Sequence, residues 1–224
     1  MDQVINPNDF IISRKRKLYK FALFKTLSNC YDTATWLDAR STIMANQYCI
    51  TLEVGAGSGL FLTELARRHP DQLFVALDRK SDRLISGAKQ ALADGLKNIY
   101  FIWSEVQHLT DLVAPSSINT LWITFPDPWP QESNIKHRLT NQNYLKDYRI
   151  ILADNGVVQF KTDNVPLFKW SQEQFNKQFT VEYVTSDLHH DQAITGDDDA
   201  LVMTSYEARY HESGKPINYL RATV

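Results

Sequence analysis

The sequence predicts an α/β domain built on a doubly wound, mostly parallel sheet. Three observations predict it. From Tyr48 onward, short β-rich apolar runs alternate with longer segments whose apolar residues recur at helical spacing. The first run is joined to its helix by a glycine-rich turn, Gly55-Ala56-Gly57-Ser58-Gly59. A later run, Leu121-Trp122-Ile123-Thr124-Phe125, stops at Pro126, Pro128 and Pro130, and proline cannot continue a sheet ladder. A length of 224 residues suits one large domain, or one domain with an appendage.

In chain order, residues 1–46 carry no strand pattern and read as an N-terminal basic, helical extension. Residues 47–224 read as the domain. Between positions 14 and 25 stand Arg14, Lys15, Arg16, Lys17, Lys20 and Lys25 with no acid, interleaved with Tyr19, Phe21, Leu23 and Phe24. Such a helix serves either as a solvated cap or as an arm that contacts phosphates. Ile50, Leu52 and Val54 mark the first strand. Leu60, Leu62, Leu65 and Ala66 mark the first helix of the domain, which ends near Pro70. Residues 73–77 form the second strand, closed by Asp78. Ser81 can cap the next helix, whose apolar positions Leu84, Ile85, Ala88 and Leu92 recur at helical spacing up to Gly95. Residues 99–103 form the third strand, ending at Ser104-Glu105, and 121–125 the fourth. Tyr144, Leu145, Tyr148, Ile151 and Leu152 mark a helix that Asn155-Gly156 ends. A fifth strand at 157–161 runs into Thr162-Asp163-Asn164, followed by a helix over 167–175 and a sixth strand at 181–185. Residues 187–200 are polar and acidic and read as a mobile loop, and His189-His190-Asp191 lacks the context of a metal site. A helix over 204–210 and a last strand over 216–224 complete the chain.

Composition narrows the function classes. No apolar run approaches the roughly 20 residues of a membrane span, and no secretory leader precedes the basic segment. Cys30 and Cys49 have neither CxxC nor metal-ligand spacing, so they read as reduced, buried thiols of a cytoplasmic protein. A net charge of −2 excludes a uniformly basic nucleic-acid binder; such a partner needs a local basic patch.

The glycine turn carries chemistry. A dinucleotide fingerprint reads G-x-G-x-x-G and sets a pyrophosphate on the helix N-terminus. Here the spacing is G-x-G-x-G over Gly55, Gly57 and Gly59, and Glu53 stands two residues before the first glycine. A carboxylate there repels a pyrophosphate and suits an ammonium. S-adenosylmethionine carries an α-ammonium and no phosphate. Asp78, at the end of the second strand, is placed for ribose hydroxyls. Glu105, after the third, is placed for an adenine amino group. One such acid is also what a helix cap or surface charge looks like, but three at successive strand ends around one glycine loop point to a site. Asp127 and Trp129 sit among prolines just past a strand end, where open α/β sheets bind ligands.

With these residues the chain resembles the bacterial tRNA (guanine-N7-)-methyltransferase family, from about Tyr48 to the C-terminus. The resemblance rests on Glu53-Val54-Gly55-Ala56-Gly57-Ser58-Gly59, on Phe125-Pro126-Asp127-Pro128-Trp129-Pro130, and on Phe160-Lys161-Thr162-Asp163-Asn164. Thr204-Ser205-Tyr206-Glu207 and Gly214-Lys215-Pro216-Ile217 add to it. It implies a Rossmann-like class I methyltransferase with a seven-stranded sheet whose last strand is antiparallel. It also implies methyl transfer from S-adenosylmethionine to N7 of the guanosine at position 46 in the variable loop of tRNA, with no metal. By this resemblance Glu53, Asp78, Glu105 and Asp127 contact the cofactor along with the glycines, and Asp127 is the catalytic acid. Gln131, Asp163, Thr204 and Glu207 fall at substrate positions. The family follows its Pro-Trp-Pro with a dense basic run; here the segment is Gln131-Glu132-Ser133-Asn134-Ile135-Lys136-His137-Arg138, and Gln131 replaces a lysine. Glu105 stands where aspartate is usual.

Guanine N7 is an exposed acceptor without a proton, so its methylation needs no general base. Alignment and a carboxylate near the developing positive charge suffice. Asp127 fits that carboxylate, and Trp129 either stacks on a base or packs. Three rival readings remain on sequence alone. One is a small-molecule methyltransferase with the same loop, which the weakened basic run favours. Another is a tRNA-binding relative with reduced turnover. The last is a nicotinamide dehydrogenase, which the glycine spacing opposes.

Overall fold

The strands alternate their side chains between two helical layers, and that alternation decides which residues reach the site. The computed structural model describes residues 15–45, 49–194, 199–204, 206–208 and 214–224. Helix α1 (Lys15–Thr26) leads into β1 (Cys30–Asp32) and α2 (Thr33–Ile43). Then come β2 (Ile50–Val54), α3 (Leu60–Arg68), β3 (Leu73–Asp78), α4 (Ser81–Ala93), β4 (Ile99–Trp103) and a short α5 (Leu109–Leu112). They are followed by β5 (Ile118–Thr124), α6 (Gln142–Ile151), β6 (Leu152–Thr162), α7 (Val165–Phe175), β7 (Thr180–Thr185) and β8 (Asn218–Thr223). Among the described residues the sheet has eight strands, in the order β1-β4-β3-β2-β5-β6-β8-β7. The pairings are parallel from β1 through β6, and β8 runs antiparallel to both β6 and β7.

One face carries Leu52, Val54, Leu121 and Ile123 against Trp36, Leu145, Tyr148, Leu167 and Phe175 of α2, α6 and α7. The other face carries Ala76, Phe101 and Trp122 against Phe24, Leu62, Leu65, Leu84 and Ala88 of α1, α3 and α4. Full burial of a Leu or Phe side chain contributes about 1.5–3 kcal/mol, so packing on both faces holds the sheet between two helical layers. Among the described residues no helix is long and apolar enough to cross a membrane.

Strand β1 corrects the reading of residues 1–46 as strandless and raises the strand count from seven to eight. Cys30, Tyr31 and Asp32 pair with Phe101, Ile102 and Trp103. Three edge residues are too few to display a period-two pattern. Helix α1 packs as a cap: Phe24 is fully buried, Lys20 donates to the Asp82 carbonyl oxygen, and Lys25 pairs with Asp32. Arg14 lies outside the described residues. Cys30 and Cys49 are free thiols but only half-buried. The Asn155-Gly156 pair does not end a helix. α6 stops at Ile151, and Leu152 already pairs with Ile118, so the pair sits inside β6 at a register shift with Asn155 at φ 62°. Of the helix expected over 204–210, residues 206–208 are helical, and Ser205, Arg209 and Tyr210 lie outside the described residues. The acidic stretch expected as a loop has turns up to Ile194; Asp197 and Asp198 lie outside the described residues.

Candidate functional site

The sheet reverses its winding between β2 and β5. The chain leaves β2 through α3 on one face and leaves β5 toward α6 on the other. The two loops therefore diverge and open a crevice at the strand ends, the usual ligand position in such sheets. The glycine loop forms one wall. Gly55 and Ala56 donate their backbone N–H groups to the Leu77 carbonyl oxygen. Gly57 N–H donates to Asp78 Oδ2 at 2.8 Å and Lys80 N–H to Asp78 Oδ1 at 2.7 Å. Burial raises the Asp78 carboxyl, and these two donors together with Arg83 and Lys80 oppose the rise. Gly59 caps α3 at φ 69°, where a Cβ would lie 2.6 Å from the Phe101 ring. Only glycine meets both demands.

Glu53 ends up buried because its register neighbours, Ala76 and Trp122, face α3. Thr124 donates its hydroxyl to Glu53 Oε1 at 2.6 Å, while Oε2 has no partner among the described residues. Burial pushes the Glu53 carboxyl up to about 8; the Thr124 hydrogen bond and Lys161 pull it down, and Asp78 adds to the rise. Ionising a buried carboxyl whose second oxygen lacks a partner costs on the order of several kcal/mol unless a cation satisfies it. Glu53 also lines a cavity of about 160 Å³ with Gly57, Ser58, Phe61, Thr204 and Tyr206.

A second cavity, of about 400 Å³, adjoins it and shares Gly55, Arg83 and Phe125 with it. Val106, Leu139 and Tyr144 give it an apolar wall, with Asp78, Glu105 and Asp127 at polar positions. That combination fits a nucleoside: a flat base against the apolar wall and carboxylates for the sugar hydroxyls and the base edge. The smaller cavity, with Glu53, fits an attached ammonium.

The proline loop forms the opposite wall. Phe125 and Trp129, two bulky residues, hold φ at 46° and 42°, a conformation that costs on the order of 1–3 kcal/mol each and persists only where the surroundings enforce it. They do so here. Phe125 N–H donates to the Lys161 carbonyl oxygen at 2.9 Å, and its ring lies 5.0 Å from Tyr206. Arg138 reaches back to donate to the Pro128 carbonyl oxygen at 2.9 Å and to that of Trp129 at 3.0 Å. Its guanidinium lies 4.5 Å over the Trp170 ring. Asp127 projects between these fixed points, exposed and lining the larger cavity.

The structure thus brings Glu53, Gly55, Gly57, Asp78, Glu105, Asp127 and Thr204 around two adjoining cavities, with Gly59 behind the loop. Thr204 and Glu207 form a reciprocal cap. Thr204 N–H donates to Glu207 Oε2 at 2.7 Å and Glu207 N–H to Thr204 Oγ1 at 3.0 Å. Burial pushes the Glu207 carboxyl up, but His189, Lys161 and Thr204 N–H outweigh it and hold it below its ordinary value. Gln131 stands at the edge of a 3-10 turn (Glu132–His137), bonded to Asn134, and Asp163 is paired with Lys215 at 2.5 Å. Neither lines the two cavities. Sequence reasoning missed Thr124, Arg83, Arg138 and Tyr144. It also missed the buried ammonium of Lys161, which donates to the Val202 carbonyl oxygen at 2.9 Å. For Lys161 a signal existed: its parity with Gln159 places both on the face of Trp122 and Thr124.

Comparisons with known proteins agree with this geometry. The family described as putative methyltransferase matches residues 47–220. The tRNA (guanine-N(7)-)-methyltransferase of Christiangramia forsetii is 35% identical over 184 residues, covering 80% of each chain. That of Mycoplasma mobile is 38% identical over 175 residues, 77% of this chain and 84% of its own. Among solved structures, the 16S rRNA methyltransferase KamB aligns with a TM-score of 0.62 at 19% identity, over 84% of this chain and 93% of that one. A mutant 16S rRNA (adenine(1408)-N(1))-methyltransferase from Catenulisporales acidiphilia, with cosubstrate SAM, aligns at 0.58 and 15% identity over 84% and 91%. At these identities the two structures show the fold alone.

Proposed function

The chain belongs to the tRNA (guanine-N(7)-)-methyltransferase family, and from that premise we propose that it methylates N7 of the guanosine at position 46 in the variable loop of tRNA, in the cytoplasm. The observation that carries the reading is the buried Glu53, with Oε2 unpartnered among the described residues, on the glycine-loop cavity beside a larger cavity lined by Asp78, Glu105 and Asp127. Bound S-adenosylmethionine supplies the methyl group from a sulfonium. The protein's own residues bind and align. Glu53 takes the ammonium, Asp78 the ribose hydroxyls, and Glu105 the edge of a base held by Val106, Leu139 and Tyr144. Asp127 faces the incoming guanine, accepts from its edge and offsets the positive charge that builds on the ring. No side chain has to remove a proton, because N7 bears none. Of the basic residues after Pro130, Arg138 turns inward to the loop, so Lys136 and His137 are the ones placed for phosphate.

The direct test incubates the protein with methyl-labelled S-adenosylmethionine and unmodified bulk tRNA, followed by nucleoside analysis. Label in 7-methylguanosine is the expected result. Label in another nucleoside, or in small molecules with none in tRNA, overturns the reading.

Arg138 is the positioning residue whose loss separates alignment from binding. Its two carbonyl contacts and its stacking on Trp170 hold Asp127 in place, and a misplacement of about 1 Å costs up to about a hundredfold in rate. Arg138→Ala is expected to lower kcat by roughly tenfold to a hundredfold while S-adenosylmethionine affinity stays within about twofold. Arg138→Lys is expected to recover little, because an ammonium cannot reproduce the planar fork. An unchanged kcat in either variant removes Arg138 from this role.

A further inference from the structure

We infer that Arg83 binds the α-carboxylate of the cofactor's amino-acid end, opposite Glu53. The inference rests on the proposed cofactor and extends it to a residue that the glycine loop and the strand-end acids do not reveal. An amino-acid end is a zwitterion, so a cavity that offers only a carboxylate satisfies half of it. Among the described residues lining the smaller cavity, Arg83 is the one cation. It also lines the larger cavity, which places it at the junction where nucleoside and amino acid join.

The packing of α4 explains how it gets there. Gly87 N–H donates to the Ser58 carbonyl oxygen at 2.8 Å, and a Cβ on Gly87 would lie 2.7 Å from that oxygen and 2.8 Å from Gly59. The helix therefore rests directly on the glycine loop. Arg83 lies four residues, one turn, before Gly87 on the same helix face, and it lines both cavities beside the loop. Within the described chain the Arg83 side chain forms no hydrogen bond and no ion pair closer than 4 Å. Asp78 feels its charge, but both Asp78 oxygens are already held by the Gly57 and Lys80 N–H groups. Arg79 and Lys80 line the larger cavity but not the smaller, and Lys161 is fully buried and committed to the Val202 carbonyl oxygen and, at 3.5 Å, to Glu207. A guanidinium with its fork unengaged is suited to a carboxylate, which it can meet with two parallel N–H donors.

Calorimetry on the full chain tests the assignment with ligands that differ in this group. S-adenosylhomocysteine carries the amino-acid end, and 5′-methylthioadenosine lacks it. Arg83→Gln is expected to weaken S-adenosylhomocysteine by about tenfold to a hundredfold, the loss of a charge-assisted contact, and to leave 5′-methylthioadenosine within about twofold. Arg83→Lys should recover part of the loss. Independently of any mutation, the wild type should bind decarboxylated S-adenosylmethionine more weakly than the intact cofactor by a similar factor. Equal losses for both nucleosides, or undiminished S-adenosylhomocysteine binding in Arg83→Gln with a flatter salt dependence of tRNA binding, overturn the assignment in favour of a nucleoside or phosphate contact. Wild-type protein that binds none of these ligands overturns the cofactor reading itself, and the assignment with it.

Discussion

Asp127→Asn is expected to lower methyl transfer by about a hundredfold to a thousandfold, the usual cost of losing one electrostatic stabiliser of a transition state. The melting temperature should stay within a degree or two, because an exposed substitution away from packing shifts stability by less than about 0.5 kcal/mol. The side chain is exposed and lines the larger cavity, while the strained backbone around it is held by Phe125, Trp129 and Arg138 rather than by its carboxylate. Substrate affinity should change less than kcat, since the charge it offsets appears on the guanine only as the bond forms. The measurement is single-turnover transfer to tRNA, with calorimetry for the cofactor. A variant that retains half the wild-type rate shows that the carboxylate does not act on the developing charge.

Glu53→Gln should change two properties in opposite directions. Cofactor affinity should fall by roughly tenfold to a hundredfold, because the amide keeps an acceptor for Thr124 and loses the charge that pairs with an ammonium. Stability of the ligand-free protein should rise at alkaline pH. The folded-state value of Glu53, about 8, lies above the ordinary 4.5. The native state therefore keeps a proton that the unfolded chain releases. Its stabilisation is complete below 4.5 and is lost as pH rises to about 8, at up to about 1.4 kcal/mol per pH unit. The amide has no such slope. The same ionisation makes cofactor binding expel a proton below about pH 8, so wild-type affinity should strengthen as pH rises from 6 to 8. Melting curves of both proteins from pH 5 to 9 provide the check. Parallel curves would mean that Glu53 is ionised without a ligand and that its buried oxygen is not waiting for a cation.

The strand ends were readable because each combined a short apolar run with a sharp stop. Residues 50–54 ended at glycines, and the run expected over 121–125, which the structure forms as Ile118–Thr124, ended just before prolines; both breaks are backbone chemistry that needs no neighbour to act. Asp78 and Glu105 were readable for the same reason, as the first acids after apolar strands. Strand β1 escaped because its pairing with Phe101, Ile102 and Trp103 is made across the fold. Gln131 and Asp163 occupied expected substrate positions in the sequence, yet their side chains meet Asn134 and Lys215 outside both cavities.

By itself the sequence determined the alternation of strands and helices, the turn that admits a ligand against the backbone, and the stiff loop that presents Asp127. Periodicity and the φ limits of glycine and proline act within a few residues, so the order of amino acids is enough to specify them. Only the tertiary structure decided that Glu53 keeps one oxygen unpartnered and that Arg138 turns inward. It alone decided that Thr204 and Glu207 cap each other, and that Arg83 stands where two cavities meet. Charged side chains are ambiguous in a sequence because water satisfies them anywhere on a surface. Their roles here follow from which face a strand turns to α3 and how closely α4 can lie on the glycine loop, and those are set by contacts between segments far apart in the chain.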